Sequence, residues 1–213
     1  MNKVILKITL GLASIGFSMS ASAQKIYNAG VINYSVSAPV ANVDTKVYFT
    51  ADSSAAISDS GIFTAKVLSD NKGSYLAILV NVPMISVKKV SVLTPAEIAQ
   101  AKNDAPRFTF SATNETKKIN GFNCKKVNAK DVKNGNKVEL WVTNDIKTPV
   151  NSLTRPFAAA GGVPVKFVTV RQGQTVNVEM KSISAEKVQT GTFGIPPGYD
   201  KISFSDLKQF GSL

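Results

Sequence analysis

The chain has 213 residues, with 25 Lys and Arg against 14 Asp and Glu, a formal net charge of +11, one cysteine and no histidine. The missing imidazole removes Ser-His-Asp and Cys-His catalysis and every His-containing metal site, and a lone thiol removes intramolecular disulfides, thiolate zinc sites and Cys-X-X-Cys redox chemistry. The positive charge favours acidic partners such as anionic lipid headgroups or acidic polysaccharide, whereas lysines paired as Lys88-Lys89, Lys117-Lys118 and Lys125-Lys126, without interleaved aromatics, argue against nucleic acid.

The opening stretch MNKVILKITLGLASIGFSMSASA (1–23) has two lysines, an apolar run from Ile8 to Phe17 and Ala21-Ser22-Ala23 at a cleavage point, the pattern of a secretory signal peptide. The run is too short and too rich in Gly and Ser to span a bilayer, and no later segment approaches the roughly 18 apolar residues a spanning helix needs. No cysteine lies at the cleavage point for lipid attachment. The expectation is a periplasmic or secreted protein, not integral to the membrane, with one β-rich domain over 24–213.

Strand patterns then dominate. INYSVSA (32–38) alternates Ile32, Tyr34 and Val36 with polar residues, and TKVYFT (45–50) sets Val47 and Phe49 on one face. SYLAILVNVPM (74–84) is apolar on both faces, as in a strand covered on both sides or one whose second face lines an apolar cavity. Lys88-Lys89 interrupts ISVKKVSVL and shifts the apolar phase, which predicts a bulge or bend. TPAEIAQAKNDA (94–105) predicts a helix, with Thr94 as N-cap, Pro95 at its first position and Glu97 completing a capping box, and with Asn103 and Pro106 as its exit. KNGNK (133–137) contains the Asn-Gly pair that favours a type I′ hairpin before KVELWVT (137–143), where Val138, Leu140 and Val142 share a face. Pro156 limits PVNSLTRPFAAAGG (149–162) to a short turn and a loop. VPVKFVTV (163–170) is again apolar on both faces, RQGQ turns the chain, and TVNVEMKSI (175–183) presents Val176, Val178 and Met180. In TFGIPPGYDKISFSDLKQF (192–210), Pro197-Gly198 suits a type II turn, and Phe204, Leu207 and Phe210 make a short apolar stripe. That tail reads as a latch over a core or cavity. The expected fold is mainly β: a single strongly curved antiparallel sheet, a half-barrel, with two or three short helices, one of them C-terminal.

Chemistry is sparse. The carboxylates are spread singly, and Asp52, Asp59 and Asp70 suit successive turns better than a calcium loop. Gly161-Gly162 lacks the Gly-Lys-Ser/Thr ending of a phosphate loop and fits a close approach of chain segments. Cys124 stands beside Lys125 and Lys126 without a base or a second thiol, which favours a buried small side chain over a reactive one. Trp141 falls on the face opposite Leu140, as a cover or part of a ligand-contacting surface.

Three segments in order, TKKINGFNCKKVNAKDVKNGNKVELWVTNDI (116–146), GGVPVKFVTV (161–170) and the tail 192–210, resemble an exported bacterial family, domain-of-unknown-function family 4412. The resemblance implies an envelope protein without known catalytic residues. It also suggests a distant similarity to the lipoprotein-carrier proteins of Gram-negative periplasms, whose curved sheet holds acyl chains under helical lids. The resulting expectation is a non-enzymatic envelope protein, without cofactor or metal, that binds a lipid, a lipoprotein acyl chain or an anionic envelope surface. Trp141, Phe157, Phe167, Tyr199, Phe204, Leu207 and Phe210 are its candidate cavity or lid residues. The alternative is a structural or adhesive envelope module that binds protein or glycan, and a carboxylate-based hydrolase is a third.

Overall fold

The computed structural model describes residues 24–38, 41–171 and 174–210. The leader expected over 1–23 lies outside them. After a short β1 (Lys25–Ile26), alternating side chains build a run of hairpins: β2 (Gly30–Ala38), β3 (Ala41–Phe49), β4 (Ser53–Asp59), β5 (Thr64–Asp70), β6 (Leu76–Val82) and β7 (Val87–Val92). The helix α1 (Pro95–Asp104) leads to β8 (Phe108–Ile119), β9 (Phe122–Asp131), β10 (Lys137–Thr143), β11 (Ile146–Lys147), β12 (Val163–Arg171) and β13 (Gln174–Ser184). The tail adds β14 (Asp200–Lys201) and α2 (Phe204–Phe210).

Twelve of these strands make one curved, unclosed sheet in the order β14-β7-β6-β5-β4-β3-β2-β13-β12-β10-β9-β8. Pairing is antiparallel except that β14 runs parallel to β7, and β1 with β11 forms a separate parallel ribbon. Successive in the chain, β7 and β8 lie far apart in that order, β8 at one end and β7 next to β14 at the other. Their connection must therefore cross the sheet, and it carries α1.

The inner face holds the main core. Ile32, Tyr34, Val47, Phe49, Leu140, Phe167, Val178 and Met180 are buried there, and the irregular segment 148–162 descends onto them with Phe157 fully enclosed. A smaller outer cluster, Ala55, Leu68, Ala77, Leu79 and Val90, is roofed by Phe193 and Tyr199. These two clusters explain the doubly apolar β6: Ala77 and Leu79 face the outer roof, while Leu76, Ile78 and Val80 face inward and are half-buried. Cross-strand burial of this kind stabilises by roughly 25 cal/mol per Å² of apolar surface removed from water. Gly162 accepts the close approach foreseen for it, since a Cβ there would lie 2.9 Å from the Thr143 carbonyl oxygen.

The capping box of α1 is present as expected. Thr94 Oγ1 accepts from the Glu97 amide, and the Glu97 carboxylate accepts from the Thr94 amide at 2.7 Å. Two local expectations need correction. No bulge occurs at Lys88-Lys89: β6 and β7 pair without a register shift from Ala77–Val92 to Val82–Val87, because Lys88 points to solvent and Lys89 meets Asp200 at 2.9 Å. Bulges fall instead between Ala112 and Thr116, Trp141 and Val142, and Met180 and Ser182. The 132–136 connection is not a two-residue type I′ turn, since only Gly135 has positive φ and the Asp131 carboxylate and carbonyl organise a longer loop. The pair of positive φ values that type I′ requires occurs at Asn120 (48°) and Gly121 (90°), between β8 and β9.

In the tail, Gly198 has φ 80°, as a type II turn demands. The segment then pairs as β14 and packs α2 against β7, so the latch closes over the outer cluster. Among the described residues no helix is long and apolar enough to cross a membrane.

Candidate functional site

Three segments remote in sequence border a cavity of about 460 Å³, open to solvent, on the inner side of the sheet. The first is α1, whose Ile98 and Ala101 face it and whose exit, Ala105 to Arg107, closes one side. The capping box sets where this helix starts, and its hydrogen bonds to Thr94, with Lys208 of α2 nearby, hold the Glu97 carboxyl below its ordinary range. The second is the turn between β5 and β6, which contributes Gly73 and Tyr75 beside Ser69 and Leu76. Asp70 organises that turn by accepting from the amides of Ser74 at 2.7 Å and Tyr75 at 3.1 Å. The third is the 148–162 segment. The Asn151 side chain accepts from the Leu153 and Thr154 amides at 2.9 and 3.1 Å, which fixes the turn that presents Ser152, Arg155 and Pro156.

Arg155 binds the second and third segments together. Its guanidinium donates to the carbonyl oxygens of Asp70 at 2.8 Å and Asn71 at 3.3 Å. Gly73 is needed beneath it: φ is 71°, and a Cβ would come within 2.9 Å of Arg155 Nη1. The walls are mainly apolar, and the lining carries Lys102, Arg107 and Arg155 but no carboxylate. No ion pair neutralises these three among the described residues. Chemically, the space suits an apolar body with an anionic end. It offers hydroxyls from Ser69, Tyr75 and Ser152 as further hydrogen-bonding groups.

The residues singled out from sequence are distributed differently. Phe157 and Phe167 meet in the filled core, with ring centroids 4.9 Å apart. Tyr199 packs on the outer cluster. Leu207 is buried, and Phe204, half-buried in α2, carries the Lys208 ammonium 4.5 Å above its ring. Phe210 ends α2, and its side chain lies outside the described set. Phe204 also lines a cleft between α2 and α1, opposite Glu97, Gln100 and Asp104. None of the other six lines the cavity itself. Sequence reasoning passed over Lys102, Arg107 and Arg155, whose cationic side chains look like ordinary surface until three separate segments are folded together.

Trp141 lies half-buried on the outer face, its Nε1 donating to Glu139 at 2.9 Å. Around it runs a ladder of paired charges. Lys126 bridges Glu115 and Glu139, and Glu179 meets Lys166 and Lys181. Hydrogen bonds from Lys181 and Asn120, aided by Lys166, outweigh burial and hold the Glu179 carboxyl at about 2. Lys126 and then Trp141 lower Glu139 likewise. These carboxylates are ionised at neutral pH and held in ion pairs, which removes them as general acids there. Cys124 is buried, and its burial, reinforced by Asp145, pushes the thiol up to about 11. It is a packed side chain rather than a nucleophile. Among the described residues no group of three or more His, Cys, Asp or Glu is placed to hold a metal ion.

Residues 38–154 match the family described as N-glycanase peptide, N-terminal domain. The match takes in INGFNCKK and ELWV but ends before GGVPV and PPGY, and it is not to domain-of-unknown-function family 4412. N-glycanases are enzymes, so the match overturns the expectation of a non-enzymatic protein, although the part matched is an N-terminal domain. Among solved structures, PNGF-II in space group C2 is 20% identical, with a TM-score of 0.47, over 85% of this chain and 32% of that one. This chain thus spans about a third of PNGF-II. LprF from Mycobacterium bovis is 13% identical, with a TM-score of 0.34, over 75% of this chain and 88% of that one. No curated protein sequence matches.

Proposed function

As this chain belongs to the N-glycanase peptide, N-terminal domain family, we propose that it is a ligand-binding module of an N-glycanase-type system, taking an amphipathic molecule with an anionic end into the cavity beneath α1. The reading rests on one observation: an apolar space of about 460 Å³ whose only charged lining groups are Lys102, Arg107 and Arg155. Cations without carboxylate partners attract an anionic headgroup, while Ile98, Leu76 and Pro156 receive the apolar portion. A lipid or the acyl chain of a lipoprotein has this chemistry. The leader-like residues 1–23 agree with an exported protein that meets such molecules in the envelope.

Titration with a homologous series of alkyl sulfates tests the proposal. Each methylene that enters the cavity contributes about 0.8 kcal/mol, a tightening of about fourfold, until the space is full. Arg155→Gln should weaken binding about tenfold while leaving the chain-length dependence intact. Affinity independent of chain length, or unchanged in that variant, would show that the cavity is not the site.

A second reading, a glycan-binding module, is favoured by Trp141 on the outer sheet face with its indole fixed by Glu139. It requires that Trp141→Ala abolish binding to N-linked oligosaccharide while alkyl sulfate binding survives.

A further inference from the structure

We propose that the hairpin tips at one end of the sheet insert into the surface of a bilayer that carries anionic lipid. Antiparallel order sends successive connections to alternate ends. Those after β4, β6 and β9 emerge at one end, and those after β3, β5 and β8 at the other. The first set carries Ile62 and Phe63, then Met84 and Ile85, then Val132, which are 64%, 41%, 84%, 66% and 64% exposed. The second set carries Ala51-Asp52, Asn71 to Tyr75, with Tyr75 39% exposed, and Asn120-Gly121. Among the described tips, large exposed apolar side chains therefore concentrate at the first end, while those of the second are small or polar apart from Tyr75. Large apolar side chains exposed together on the neighbouring tips of one end mark a docking surface.

The two most apolar tips are neighbours. Thr64 pairs with Asn81, and Val82 with Val87, so the 60–63 turn lies against the 83–86 turn across the β5–β6 border. Both are built rigidly. The Asp59 carboxylate accepts from the Gly61 amide at 2.8 Å, and Ser60 and Phe63 exchange hydrogen bonds. The second turn closes on the Ser86 amide, which donates to the Pro83 carbonyl at 3.0 Å. Little backbone entropy therefore remains to be lost when these tips insert.

Charge and shape select the occupant. Exposed Lys88 stands just behind the Met84-Ile85 tip, and Lys133 and Lys137 flank the third connection. With the chain's net charge of +11, these cations suit an anionic surface. The apolar groups sit on separate narrow projections, which an interfacial lipid layer deforms to receive, whereas a protein partner would need a matching socket for each. None of these residues lines the cavity beneath α1, so the inference stands apart from the ligand proposed there.

Co-sedimentation of the full chain with mixed phosphatidylethanolamine and phosphatidylglycerol vesicles, against phosphatidylcholine vesicles, tests the inference. The chain should partition onto the anionic vesicles, and Met84→Asp combined with Ile85→Asp should reduce that partitioning about tenfold or more. Both side chains are exposed, so thermal melting of the variant should match the parent. A Met84→Trp reporter should be quenched by brominated lipid, and Lys88→Glu should lessen the preference for anionic vesicles. Absence of vesicle binding, binding unchanged in the double variant, or an unquenched reporter overturns the proposal. So does a parent dimer that the double variant dissolves without any vesicle binding, because the tips would then serve a second copy.

Discussion

Replacing Phe157 by alanine tests how the irregular 148–162 segment is seated in the concavity. The ring is fully buried, stacked 5.2 Å from Phe108 at an interplanar angle of 12° and tilted at 53° against Phe167. It projects from a single short 3-10 turn, Arg155–Phe157, in a segment with little backbone pairing of its own. Truncation removes the transfer free energy of the ring and leaves a cavity that the surrounding strands fill only partly, a loss of about 3–5 kcal/mol. The two ring contacts, about 0.5–1.5 kcal/mol each, lie within that range. Against a typical domain stability of about 5–15 kcal/mol, the variant stays folded but is markedly weakened. With a urea m-value of about 2 kcal/mol/M, the unfolding midpoint should fall by about 2 M. Fluorescence of Trp141, the only tryptophan, reports the transition. Phe157→Leu should recover about half of the loss. A midpoint shift below about 0.5 M for the alanine variant would refute the reasoning and show that the segment is held by its backbone and polar contacts.

Glu179 should contribute to acid stability. Its folded value of about 2 lies below the ordinary 4.5, so the stabilisation is complete above about pH 4.5 and is lost as pH falls towards 2. The stability gap between the parent and Glu179→Gln should therefore be widest near neutrality and should close through that window in pH-dependent urea melts; a constant gap contradicts the assignment. Cys124, with its thiol at about 11, should resist aromatic disulfide reagents at neutral pH until the protein unfolds, and free-thiol labelling rates in the native protein would contradict its burial. Deleting residues 199–213 should lower Tm and raise binding of a hydrophobic dye by uncovering Leu68, Leu79 and Val90, and unchanged values would contradict the latch.

Much of the fold is legible in sequence because its causes are local. Period-two alternation in β13, the Thr94-Pro95-Glu97 start of α1 and the Pro197-Gly198 turn are properties of adjacent residues, and each appears in the structure. The errors arise where a local signal competes with a tertiary one. Lys88-Lys89 breaks the apolar pattern without breaking the strand, because solvent takes one ammonium and Asp200, more than a hundred positions along the chain, takes the other. Asn134-Gly135 has hairpin composition, but the Asp131 side chain draws it into a longer loop.

The candidate site was hidden for the same reason. Aromatic residues are the conspicuous candidates along the chain, yet Phe157 and Phe167 fill the core, and the open space is lined by α1, the β5–β6 turn and the 148–162 segment. By itself the sequence determines that the protein is a β-rich meander with one well-capped helix, a basic balance, a thiol without a partner and no imidazole, because composition and short-range sterics are readable along a line. Only the tertiary structure decides which face of β6 meets the tail and which stays open, that α1 crosses from one margin of the sheet to the other, and that Lys102, Arg107 and Arg155 converge on one cavity. Alternation specifies that a strand has two faces, but what covers each is set by long-range packing.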